Sequence, residues 1–243
     1  MSLNREEVVK RFRSFLSGIE KESVKRAFLT WLLTTFKNRK CCPKQSINDI
    51  YSKFTRSIKG TRHYCPKTQN KGIGGIFLEK LTGIPQTTDC LDCSDGELKL
   101  FPLKKLKSGK WSAKETIAIT MRGLNVHELE EIKRWEDSEL KKKTDNLLFV
   151  AYYREDDDWI KFVDAYKLGK DYENEFRSDY YKIKEHFREH GIRTQGNTIN
   201  GTYVQTRTKG QGGGAPKTVA FYFQTKFVRE VLIKNMELNE KKN

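Results

Sequence analysis

The chain has 243 residues, and 47 Lys+Arg against 32 Asp+Glu leave a formal net charge of +15. Apolar residues at 36% suffice for one sizeable core, 12% aromatics argue against wholesale disorder, and no apolar run approaches the roughly 18 residues of a bilayer span. A membrane protein, a secreted disulfide scaffold and a disordered tail are set aside, and the basic surplus points to a polyanion, nucleic acid ahead of a membrane surface.

The first residues are charged (Arg5, Glu6, Glu7), unlike a secretory leader. Five cysteines at 41, 42, 65, 90 and 93 make an odd count without framework spacing, so a cytoplasmic location is expected. Val8, Val9, Phe12, Phe15, Leu16 and Ile19 recur at helical spacing, and Val24, Ala27, Phe28, Trp31, Leu32 and Phe36 repeat the pattern. Ile47, Ile50, Tyr51, Phe54 and Ile58 predict a third helix closed by Gly60. The basic stretch 61–71 reads as a solvated linker, and residues 1–70 as a helical N-terminal extension packed on a core of residues 71–243.

Beyond residue 70 the texture changes. Residues 75–82 predict a short apolar helix, and 96–103 and 115–121 predict strands. The continuous apolar run 148–153 predicts a buried strand, and 159–166 another. A charged helix over 172–190 turns Phe176, Tyr180, Ile183 and Phe187 inward. Strands at 201–207 and 217–224 flank the loop Gly210–Pro216, and a final helix over 225–236 buries Phe227, Val231 and Leu232. The pattern is α+β, a mixed central sheet flanked by helices.

The stretch 89–99, Asp-Cys-Leu-Asp-Cys-Ser-Asp-Gly-Glu-Leu-Lys, carries the chemistry. On a strand Glu97 and Lys99 project from one face while Leu98 packs behind them. Asp95-Gly96 is a turn signal, so Asp92 folds back toward Glu97. Two crowded carboxylates repel unless a divalent cation neutralises them, and magnesium suits carboxylate oxygens with several waters retained. Such a centre activates water for attack on a phosphate, with Lys99 holding that water or the developing charge. Asp89 and Asp95 compete with Asp92 for the first carboxylate position. Two zinc readings are weaker. Cys41, Cys42, His63 and Cys65 open with adjacent cysteines, an awkward bite for one ion, and Cys90 with Cys93 is a lone CxxC. His186 and His190 stand at i, i+4, a spacing more often found on a polar helix face.

Four blocks in order resemble the MutH-like branch of the PD-(D/E)xK endonucleases, which holds mismatch-repair nicking enzymes and type II restriction enzymes. They are Gly75–Gly83 around Glu79, Asp92–Lys99, Leu140–Lys143 ahead of Leu147–Val150, and the pair Gly201–Lys209 with Phe221–Phe227. The similarity spans about residues 70–235, and Pro102–Glu115 leans toward the Sau-type restriction enzymes. The resemblance implies a restriction-endonuclease-like fold with two lobes around a DNA cleft. It implies Asp92 and Glu97 as metal ligands, Lys99 positioning the nucleophilic water, Glu79 supporting from its helix, and a further active-site lysine. Among Lys141, Lys142 and Lys143 the last is favoured. It further implies Arg207, Lys209, Tyr222 and Lys226 as the DNA-reading group, with Tyr222 like a methylation-sensing tyrosine. The expected activity is Mg2+-dependent, site-specific cleavage of double-stranded DNA, most consistent with a type II restriction enzyme beside a cognate DNA methyltransferase. The alternatives are a mismatch-repair-type nicking enzyme and a non-catalytic DNA-binding module with a decayed nuclease core. Monomer and dimer stay open.

Overall fold

A computed structural model describes residues 44–68, 72–85, 90–120, 134–191, 198–209 and 218–239, which belong to one compact unit, Lys44–Asn243. The two helices expected within the first forty residues, Asp89 and the glycine loop 210–216 lie outside the described residues.

Helix α1 (Ile47–Ser57) starts at a reciprocal capping box: Ser46 Oγ accepts the Asp49 N–H and Asp49 accepts the Ser46 N–H, each at 3.2 Å. Such a box satisfies two donors that the first turn would otherwise leave open. Its buried stripe is Ile47, Ile50 and Phe54, and the chain leaves through Gly60 at φ 79°. Strand β1 (Arg62–Tyr64) then pairs antiparallel with β6 (Trp159–Leu168). Helix α2 (Ile73–Thr82) closes on left-handed Gly83, whose N–H donates to the Glu79 and Lys80 carbonyls.

The remaining elements are β2 (Glu97–Lys105), β3 (Trp111–Ala113), β4 (Ile117–Ala118), α3 (Glu139–Thr144), β5 (Leu147–Arg154), α4 (Glu173–His190), β7 (Val204–Lys209) and β8 (Thr218–Phe223). Last come α5 (Thr225–Phe227) and the π-helical turn Val228–Ile233. Five strands form a mixed sheet in the order β1-β6-β5-β2-β3, in which only β2 and β5 run parallel; β4, β8 and β7 form a second, antiparallel sheet. The α+β class read from the pattern is the one observed.

Both faces of the five-stranded sheet are covered, which explains the unbroken apolar run of β5. Leu147, Phe149 and Ala151 join the core formed with α4, the second sheet and the C-terminal helical turns. Leu148 and Val150 alternate to the other side, against α1 and α2. Fully burying one such side chain contributes roughly 1.5–3 kcal/mol, so this strand anchors the fold.

Several boundaries differ from those expected. Residues 61–71, read as a solvated linker, contain β1, and α1 packs on the sheet. The compact unit therefore begins at Lys44 rather than after residue 70. A three-residue edge strand with Arg62 and Tyr64 exposed leaves too little alternation to betray itself. The strand expected over 115–121 shrinks to Ile117–Ala118, because the Ile119 and Thr120 N–H groups both turn to the Phe221 carbonyl. Strand β7 begins at Val204 rather than at 201, because the N–H groups of Thr202, Tyr203 and Val204 donate to the buried Asp179 carboxylate of α4. The final helix is largely π-helical, and its wide turn buries Val228, Val231, Leu232 and Ile233 together.

Candidate active site

Parallel pairing of β2 with β5 sets Glu97 opposite Leu147, so both strands start level. Helix α3 ends just before β5, which brings its last turn to the head of β2. Lys143 thereby reaches Glu97: its Nζ lies 2.9 Å from Glu97 Oε1 and also donates to the Cys90 carbonyl. Lys99 Nζ approaches the same Oε1 at 2.7 Å from two residues along β2, the same-face spacing of a strand. The neighbours of Lys143 in the three-lysine run do otherwise, Lys141 pairing with Asp145 and Lys142 lying exposed.

Glu97 is 3% exposed, and its side chain is asymmetric. Oε1 takes both ammonium groups, whereas Oε2 is buried with no hydrogen-bond partner. A buried carboxylate oxygen without a partner is costly unless something else occupies its lone pairs. Beside it, Asp92 folds back so that Oδ2 accepts the Leu98 N–H at 3.2 Å. Burial and, second, the negative charge of Glu97 raise the Asp92 pKa above the ordinary carboxylate value, against the pull of Lys99, the Leu98 N–H and Lys143.

Asp95, the competing aspartate, is committed elsewhere. Its Oδ1 accepts the Ile47 N–H at 2.7 Å, at the start of α1. The Glu97 N–H donates to the Asn146 carbonyl at 3.0 Å, and Asn146 Nδ2 donates to the Asp95 carbonyl at 2.9 Å. Between them Gly96 has no room for a side chain: a Cβ there would sit 2.3 Å from the Asn146 carbonyl oxygen. Asn146 is a residue that sequence reasoning missed, since nothing local marks an asparagine whose carbonyl and amide both serve a turn fifty residues upstream.

The donor set suits a small hard cation. Among the described residues no three His, Cys, Asp or Glu gather as a metal site, and Asp92 with Glu97 is a pair. Magnesium is bound through one or two carboxylates while keeping several waters, and the unpartnered Glu97 Oε2 is a lone-pair donor of the kind it takes. Structural zinc asks for four ligands. Cys93 is buried, and burial pushes its thiol up to about 12, whereas Cys90 is exposed and donates to Glu139. His63 packs edge-on between Phe77 and Phe162 and bonds Thr61, and Cys41 and Cys42 lie outside the described residues. His186 and His190 stack ring on ring, 4.4 Å apart.

Glu79 is carried by α2, half-buried, on the helix where a Cβ added at Gly74 would lie 3.1 Å from the Leu100 side chain of β2. The other expected residues lie on the second sheet and beyond. Arg207 is exposed on β7, donates to Thr116 Oγ1 at 3.0 Å and lies over the Tyr222 ring of β8. Lys226, in α5, keeps separate company, 4.0 Å from Glu230 and over the Tyr203 ring. Lys209 ends β7, and its side chain lies outside the described residues.

A family model described as DNA mismatch repair enzyme MutH matches residues 85–178. Over this segment, well under half of its length, the chain is similar to that family. The segment contains Asp92, Glu97, Lys99 and Lys143, and it excludes Glu79, Arg207, Lys209, Tyr222 and Lys226. Among solved structures the chain is similar to a restriction endonuclease MvaI–cognate DNA substrate complex. The TM-score is 0.37 and the identity 13%, over 75% of this chain and 92% of that one. No curated protein sequence matches.

Proposed function

We propose that this MutH-like chain is a Mg2+-dependent endonuclease that hydrolyses phosphodiester bonds in double-stranded DNA, in the manner of a type II restriction enzyme. The observation that carries the reading is Glu97. Two lysines take one of its oxygens and leave the other buried and unpartnered, while the charge of Glu97 acts on a second carboxylate, Asp92. Asp92 and Glu97 would hold the ion, which when bound supplies an acidified water and neutralises phosphate charge. Lys99 and Lys143 fix the rotamer of Glu97, and Lys99 stands where it can hold a proton-bearing oxygen. Glu79 supports the site from α2.

On this reading Arg207 and Tyr222 face the bases, Arg207 through the bidentate pattern an arginine offers guanine. Lys209 and Lys226 add phosphate contacts, whose contribution to affinity falls with salt. A restriction activity further calls for a cognate DNA methyltransferase to protect the host, and cytoplasmic residence fits both. The second reading is nicking of one strand, favoured by the description of the matching family, mismatch repair MutH.

Incubating supercoiled plasmid with the protein and Mg2+ separates these. Linear products from the wild type, and none with EDTA or with Glu97→Gln, support the restriction reading, whereas accumulation of open circles alone supports nicking. Salt-sensitive binding with no cleavage of a varied DNA panel would leave a binding module.

A further inference from the structure

The loop that presents Asp92 has no regular structure of its own, yet it is tied down from two sides. From the α1 side, the Gln45 carbonyl accepts the Ser94 N–H at 3.0 Å, Asp95 Oδ1 accepts the Ile47 N–H at 2.7 Å, and Lys44 Nζ donates to the Leu91 carbonyl. From the β5 side, Asn146 Nδ2 donates to the Asp95 carbonyl at 2.9 Å and the Asn146 carbonyl accepts the Glu97 N–H. Among the described residues of the loop, Asp95 is the one gripped by both, through its side chain on one side and its backbone on the other. It stands three residues after Asp92 and two before Glu97.

Helix capping is one part of what this bond does. Helix α1 already has the Ser46–Asp49 box, in which both residues serve each other. The Ile47 N–H is one of the donors that a first turn leaves open, and an anion is favoured there by the helix dipole. The bond therefore gives α1 an acceptor that its own box does not supply, and with the same contact it fixes the loop. The packing agrees: a Cβ on Gly96 would meet both Asn146 O and, at 2.8 Å, Ile47 Cγ1, so the turn is wedged between the same two elements.

We infer that Asp95 is a positioning residue which, by bridging the start of α1 to the head of β5, sets the placement of the Asp92 carboxyl against Glu97. The inference deepens the assignment of Asp92 and Glu97 as ligands and rests on it. Lys44, through Leu91, is the lesser tie on the same loop.

The test uses the full chain, with Mn2+ as the probe ion in titration calorimetry and amide hydrogen exchange read in parallel. Asp95→Ala is expected to weaken Mn2+ binding by roughly tenfold, the usual effect of losing a residue that orients a ligand. It should also strip protection from the Ser94 and Leu98 amides while leaving β5 and β6 protected. Asp95→Asn, whose amide oxygen still accepts, should restore both. Lys44→Met should give a smaller loss of affinity with the same pattern, which keeps the test open should Asp95→Ala not fold. Wild-type Mn2+ affinity together with wild-type exchange in Asp95→Ala overturns the proposal, and so does an Asn variant as impaired as Ala. A wild type that binds no Mn2+ sinks the metal assignment instead, and the Ser94 and Leu98 exchange then decides the positioning role alone.

Discussion

The heads of β2 and β5 and the β7–β8 pair both gather charged side chains, and they treat them in opposite ways. At the first, Glu97, Lys99 and Lys143 are 3%, 11% and 15% exposed and meet at 2.7 and 2.9 Å. At the second, Arg207 is exposed, held by one hydroxyl and one aromatic face. Low dielectric makes the first group strong and rigid, and makes any unpaired member costly. Water keeps the second group cheap to rearrange, which fits the DNA contact proposed for Arg207. On the proposed function, the first is the preorganised site of chemistry and the second the surface that reads DNA.

The largest effect should come from breaking the buried group. Glu97→Ala leaves two ammonium groups with their shared partner gone, and about 3–5 kcal/mol of stability should be lost, measured by urea denaturation. Glu97→Gln, which keeps an acceptor, should lose less stability yet all cleavage. Next, Gly96→Ala forces a methyl against the Asn146 carbonyl, and strain of about 1–3 kcal/mol is expected, with cleavage reduced because Glu97 shifts with its neighbour. On the second sheet, Arg207→Ala should leave stability within about 0.5 kcal/mol and weaken DNA binding by about 1–3 kcal/mol at a cognate site. Equal stability losses at Glu97 and Arg207 would erase the contrast.

A pH effect sharpens the same comparison. Burial and Glu97 raise the Asp92 pKa in the folded state, so the folded protein holds a proton that the unfolded chain gives up. Stability is therefore undiminished below about pH 4, the unfolded carboxylate value, and is lost as pH rises through the higher folded value. In metal-free protein Asp92→Asn should be more stable than wild type at neutral pH and equal to it in acid, by thermal melting. Mg2+ should reverse the order at neutral pH. At the alkaline end, Cys93 holds its proton up to about 12, so stability should decline from about pH 9 toward 12. Replacing Cys93 with Ala should flatten that decline.

How much was legible beforehand follows from the range of the interactions involved. Strand β5 and helix α4 were readable because burial periodicity is local: five consecutive apolar residues, and Phe176, Tyr180, Ile183 and Phe187 on one stripe. The Glu97/Lys99 pair was readable because a strand's two-residue repeat puts them on one face. Edge strand β1 was not, being three residues that only β6 holds in place. The late start of β7 was not either, since Asp179 takes its N–H groups from another element.

The sequence by itself determined the α+β class, the carboxylate-lysine strand and the basic character, all of which depend on residue type and short spacing. Tertiary structure showed which aspartate and which lysine come together with Glu97, the Asp92 and Lys143 that the sequence favours. Asp92 turns back on Leu98 while Asp95 is taken by α1, and Lys143 reaches Glu97 while Lys141 and Lys142 do not. The physical reason is the parallel register of β2 and β5, a pairing of segments fifty residues apart that no local pattern encodes.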